Sequence, residues 1–126
     1  MRRESRELVF KVIYEGMFNN NPESFELISK EYQLDDGVNL FIQELLKLWH
    51  VNKEKIREII TGALVGYEYD RVFKVDIALI SLAVLEINFY KLTPKNVVIN
   101  EVIELSKKFS TEKSYSFING ILKKLV

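Results

Sequence analysis

Apolar positions in this chain recur at helical spacing, and they are densest over residues 74–92. Projected at about 100° per residue, the side chains from Val75 and Ile77 through Leu79, Ile80, Leu82 and Leu85 to Phe89 and Tyr90 cover nearly the whole circumference. Only a thin polar seam is left, carried by Lys74, Ser81 and Asn88. A helix that is apolar almost all round is stable in water only when other helices enclose it. The stretch is too short, and too interrupted by Asp76, Ser81 and Glu86, to read as a membrane span. The remaining segments are therefore predicted to be its coat. Glu86 falls among Val75, Leu79 and Leu82 on the projection, so a partly buried carboxylate is expected there. It needs hydrogen-bond donors, for which a neighbouring helix N-terminus or a tyrosine hydroxyl would serve.

The punctuation divides the rest into further helices and no convincing strand, about seven helices in all. The first is predicted from about Glu4 to Phe18, with Leu8, Val9, Val12, Ile13, Tyr14 and Met17 as its apolar face and Asn19 to Asn21 ending it. Pro22 opens a short segment over residues 22–33 that would bury Phe25, Ile28 and Tyr32. Asp35 or Asp36 caps a third helix running to Trp49. Asn52 caps a fourth, stapled by Val51 and Ile56 and stopped at Gly66. After the central helix, the sixth starts either at Thr93 and Pro94 or at Asn100, and the seventh at Ser110 or Thr111. There are no repeats, low-complexity tracts or linkers. Residues 1–126 are thus expected to form one all-α domain of helix pairs joined by short turns around a buried central helix.

Composition changes this picture mainly by exclusion. The chain has no cysteine, which removes disulfides, thiolate metal sites and a thiol nucleophile. The opening MRRESRELVF has no apolar run able to act as a signal peptide, so a cytoplasmic location is expected. Formal charge is zero, 18 basic against 18 acidic residues, which gives no global case for a polyanionic partner. The distribution is uneven, however. Both ends are basic, with Arg2, Arg3, Arg6 and Lys11 at one and Lys107, Lys108, Lys113, Lys123 and Lys124 at the other, while residues 22–46 are acidic. An anion-binding face on a neutral protein is compatible with that pattern.

Two candidate recognition elements follow. Arg2, Arg3 and Arg6 lie within about 100° of one another on the first helix. Positive side chains there oppose the helix macrodipole, and a polyanion would account for them; a frayed, solvated terminus is the competing reading. The second element is the last helix. Tyr115, Ile118, Ile121, Leu122 and Leu125 form its inward stripe, and Phe117 sits at the margin beside Lys113, Gly120 and Lys124. A partly exposed ring next to ammonium groups suits stacking of an unpaired base; a core-edge phenylalanine is the plain alternative. His50, the only histidine, follows Trp49 at an expected helix end and reads as packed or solvated. No phosphate loop, zinc spacing or catalytic triad can be assembled from the scattered glycines and single histidine. No catalytic residue, metal site or cofactor is therefore expected.

Arg3, Arg6, Tyr14, the run DIALISLAVLEI at 76–87, the segment INEVIELSKKF at 99–109 and SFINGIL at 116–122 together resemble the NusB family of bacterial transcription antitermination factors. The resemblance implies a seven-helix NusB-like fold without catalytic activity. It implies binding to single-stranded boxA-type RNA in the leader of ribosomal RNA transcripts, jointly with ribosomal protein NusE, within an RNA polymerase antitermination complex. By the same resemblance, Arg2, Arg3 and Arg6 would be RNA contacts, Tyr14 a neighbouring contact and Phe117 a ring against the RNA. The helix geometry above, not the resemblance, adds Lys113 and Lys124 from the last helix; by the resemblance Asp76 and its neighbours, Ser81 among them, would lie toward the protein partner. Ser81 stands where the family usually has an arginine, and Lys113 where an acidic residue is common. A second class of function, a self-associating or homodimeric assembly module with little direct RNA recognition, also fits the resemblance.

Overall fold

The computed structural model describes residues 2–18 and 36–125. At its centre is a helix, α3 (Lys74–Val84), in which every residue from Asp76 onward is buried. Four other helices pack against it: α1 (Arg2–Gly16), α2 (Asp36–Ala63), α4 (Lys95–Phe109) and α5 (Glu112–Lys124). Each contributes residues with no exposed surface, such as Val9 from α1, Ile42, Leu45, Ile56 and Ile60 from α2, Val98 and Val102 from α4 and Ile118 from α5. The enclosure expected of 74–92 holds for residues 76–86; Val75 and Ile87 to Tyr90 are only half-buried, and Leu92 is exposed. A short 3-10 turn (Tyr69–Arg71) lies between α2 and α3.

The central helix does not run as α-helix to its end. From Leu85 to Tyr90 it widens into a π-helical turn, where the Lys91 N–H donates to the Glu86 carbonyl five residues back at 2.9 Å. Lys91 then takes a left-handed conformation, φ 64°, and breaks the helix. Such turns are rare and occur mostly as single turns inside α-helices, frequently at functional sites. Here the turn begins beside Glu86, which has no exposed surface.

The helices expected over 36–49 and 52–66 are one continuous helix of 28 residues. Asn52 does not cap a new helix; its side-chain amide donates to the Leu48 carbonyl at 2.9 Å, one turn back. The buried positions Ile42, Leu45, Ile56 and Ile60 stay on one helical phase, so packing against α3 favours an unbroken axis over the local preference of asparagine for caps. Val51 is 77% exposed and staples nothing. The helix ends at Ala63, and Gly66, with φ +84°, turns the chain three residues later. The choice at the sixth helix falls on the earlier start, since the Pro94 carbonyl accepts from Val97 and Val98 and Asn100 lies inside α4. Thr111 is the N-cap of α5, its hydroxyl oxygen accepting from the Ser114 N–H at 3.2 Å. Tyr115, expected inward, is exposed; Ser114 holds the buried position, so the inward stripe starts one residue earlier. The expected segment 22–33 lies outside the described residues. Among those that are described there are five α-helices and no strand.

Two ion pairs fasten α1 to α4. Arg3 meets Glu101 at 2.9 Å and Lys108 meets Glu7 at 2.6 Å. The hydrogen bond from Lys108 holds the Glu7 carboxyl below its ordinary value of 4.5, and that from Arg3 does the same for Glu101. A carboxylate whose folded value is lowered contributes stability above its unfolded value and loses it as pH falls through the folded one. The melting temperature is therefore expected to hold above pH 4.5 and to fall below it. A Glu7→Gln, Glu101→Gln double variant, followed by circular dichroism melts across that range, should show a shallower decline. An unchanged decline would place the acid sensitivity elsewhere.

Candidate nucleic-acid interface

Helix α1 runs antiparallel to α3, so its first turns lie against the C-terminal end of the central helix and its last turns against the beginning. At the C-terminal end Arg6 is interior, its side chain 5% exposed. Its Nε donates to one oxygen of Glu86 at 2.8 Å and its Nη2 to the other at 2.6 Å, a bidentate pair. The Thr93 hydroxyl adds a third donor to the carboxylate at 3.0 Å. The donors for buried Glu86 thus come from an arginine and a threonine, not from a helix end or a tyrosine. Arg3 is engaged with Glu101, and the Arg2 guanidinium lies 3.9 Å from the Phe41 ring centroid while donating to the Tyr90 hydroxyl at 3.3 Å. The three arginines do not form the exposed cluster expected of them. One is buried, one is neutralised by a carboxylate, and Arg2 lies over a ring.

The opposite end of α3 is about 15 Å away, ten residues at 1.5 Å each, and it is here that Phe117 lies. The ring sits in a cleft of about 340 Å³ with Tyr67, Arg71, Phe73, Asp76 and Lys113. The Tyr67 and Phe117 rings meet edge to face at 5.0 Å. A second cleft, of about 370 Å³, holds Tyr14, Lys74, Phe109, Ser110 and Thr111, and Phe73 lines both. Phe73 is 68% exposed, Phe18 61% and Tyr67 57%, so three large rings face solvent at this end. From Phe109 the rings continue through Phe10 (5.1 Å) and Tyr14 to Phe18 (5.0 Å).

Cations surround these rings. Lys74 lies 5.8 Å from the Phe18 ring, and Lys11 and Lys108 lie 5.7 and 5.3 Å from that of Phe109. Lys113 is exposed and makes no ion pair among the described residues, and Arg71 is paired with the exposed Glu68 at 3.2 Å. The arrangement can stack planar groups and neutralise phosphates on one surface.

Of the residues expected to bind RNA, the fold brings together Tyr14, Lys113 and Phe117, through Phe73, and leaves the arginines at the other end. Lys124 is elsewhere too; its ammonium reaches the Ala63 carbonyl at 3.4 Å, at the C-terminus of α2, where positive charge is favoured. Of the two residues expected to face a protein partner, Ser81 is buried, and Asp76, 3% exposed, lines the first cleft. The Asp76 carboxylate accepts from the Ser110 hydroxyl at 2.8 Å, and Ser81, 1% exposed, offers no surface for a contact. Sequence reasoning did not single out Tyr67, Phe73 or Phe109. Tyr67 and Phe73 lie in the connection between α2 and α3, where no periodicity marks a residue as inward or outward. The available signal was three aromatic residues, Tyr67, Tyr69 and Phe73, in the polar stretch following Gly66.

The NusB family model matches residues 3–126. The transcription antitermination protein NusB of Clostridium botulinum (strain Kyoto / Type A2) is 34% identical over 141 residues, covering 99% of both chains. The structure of T. maritima NusB superposes with a TM-score of 0.88 at 30% identity, covering 99% of this chain and 89% of that one. A structure of antitermination factors NusB and NusE in complex with dsRNA superposes with a TM-score of 0.87 at 25% identity, covering 98% and 94%. With a family model spanning all but the first two residues, a relative matched end to end and the same helical fold, this chain belongs to the NusB family.

Proposed function

We propose that this protein is an RNA-binding antitermination factor. It takes single-stranded boxA-type leader RNA of ribosomal RNA transcripts, jointly with ribosomal protein NusE, into an RNA polymerase antitermination complex. The observation that carries the reading is the convergence of exposed Phe73, Tyr67 and half-buried Phe117 with Lys74, Arg71 and Lys113 at one end of the central helix. Unpaired bases stack on such rings while cations position the backbone. The similar NusB and NusE complex with dsRNA supports both partners. The protein's role is binding, not catalysis.

A gel shift with leader RNA carrying the boxA element, with and without NusE and across a salt series, tests this. For single strands log K falls with log salt by about 0.7 per phosphate neutralised, so three engaged cations give a slope of about −2. Binding that does not respond to salt, or that appears only when NusE is present and survives Lys74→Ala with Lys113→Ala, would favour an assembly module over direct RNA recognition.

A further inference from the structure

One group of the first cleft neither stacks nor meets a phosphate. Asp76 lines it beside Phe73, Phe117, Arg71 and Lys113, although the residue is 97% buried, with a relative exposure of 3%. One carboxylate oxygen accepts from the Ser110 hydroxyl at 2.8 Å, which fixes the group in place, and among the described residues no donor reaches the other oxygen. A carboxylate only accepts hydrogen bonds, with about four acceptor positions on its two oxygens, and it repels phosphate. In a cleft built for RNA it is unfavourable unless a donor meets it.

Nucleobases differ in what they can give such a group. Guanine presents two adjacent donors, N1–H and the 2-amino group, which match the two oxygens of one carboxylate. Uracil offers a single N3–H between two carbonyls that the carboxylate repels. Adenine and cytosine each set an amino group beside a bare ring nitrogen, itself an acceptor. At about 340 Å³ the cleft falls in the range of small-ligand sites, roughly 300–1,000 Å³.

We infer that the cleft between Tyr67, Phe73 and Phe117 takes one unstacked guanine of the bound RNA, its Watson–Crick edge turned to Asp76 and its flanking phosphates met by Arg71 and Lys113. The inference rests on the RNA reading above and adds base choice to it.

The test is fluorescence anisotropy with a short labelled oligouridine and versions carrying one central guanosine, inosine, adenosine, cytidine or 7-deazaguanosine. Guanosine is expected to tighten binding at least about fivefold over oligouridine, as a good bidentate pair discriminates. Inosine, which lacks the 2-amino group, should lose most of that gain, and 7-deazaguanosine, altered only on the far edge, should keep it. These arms use the unaltered protein and so do not depend on a variant folding. Asp76→Asn should bring guanosine and uridine RNA to the same affinity. Equal binding of all oligomers, inosine binding as well as guanosine, or a guanosine preference that survives Asp76→Asn overturns the inference while leaving the RNA reading intact. Failure of every oligomer to bind at low salt, with NusE present as well as without it, overturns the RNA reading itself.

Discussion

Replacing Glu86 with alanine is expected to lower the unfolding free energy by about 3–5 kcal/mol, the cost of leaving a buried charge without its partner. The Arg6 side chain is 5% exposed and that of Glu86 0%, so neither can turn to water when the other is removed. Glu86→Ala takes away the acceptor of two guanidinium N–H groups and of the Thr93 hydroxyl, all under the π-helical turn. Arg6→Ala is expected to cost a similar amount by stranding the carboxylate. Because total stability of a domain is about 5–15 kcal/mol, either variant should be visibly fragile in urea titrations. Replacing both residues at once, Arg6→Met with Glu86→Leu, should recover much of the loss, since a buried pair is often matched by apolar groups of similar size. An Arg6→Ala protein as stable as the parent but defective for RNA would show that the guanidinium acts at the surface after all.

That pair also marks how far the sequence can be read. The enclosure of 76–86 was legible because almost every face of the helix is apolar, and burial of Glu86 followed from its place among Val75, Leu79 and Leu82. Its partner was not, because Arg6 lies 80 residues away and was grouped with Arg2 and Arg3. A signal existed nonetheless. Extended one turn toward the N-terminus, the buried stripe of α1, Val9 and Ile13, lands on Arg6 and on the equally buried Ser5. A cation on an apolar stripe calls for a carboxylate on the facing helix. The interface was half legible: Lys113 and Phe117 share a helix face four residues apart, and local geometry suffices for that. Tyr67 and Phe73 lie in a connection, and only the antiparallel packing of α1 on α3 decides that Tyr14 joins them while the arginines do not. Asn52 shows the converse, a strong local signal overridden by a continuous core stripe.

Phe73→Ala is expected to weaken RNA binding about tenfold or more, because stacking is worth about 1–3 kcal/mol per base. The ring is the best single probe of the interface, since it lines both clefts and, at 68% exposed, contributes little to the core. Its removal should barely change the melting temperature, whereas Phe117→Ala mixes lost stacking with lost packing. Tyr115 provides the contrast: it is an exposed ring on α5, 5.7 Å from the Lys107 ammonium and in neither cleft, and Tyr115→Ala should bind RNA within about twofold of the parent, as surface changes away from a site usually do. Salt separates stacking from charge. Phe73→Ala should lower log K at every salt concentration without altering its slope, while Lys113→Ala should flatten the slope by about 0.7, one phosphate's share. A Phe73→Ala protein that binds as tightly as the parent, or a Lys113→Ala protein with the parent's slope, would move the RNA off this end of the central helix.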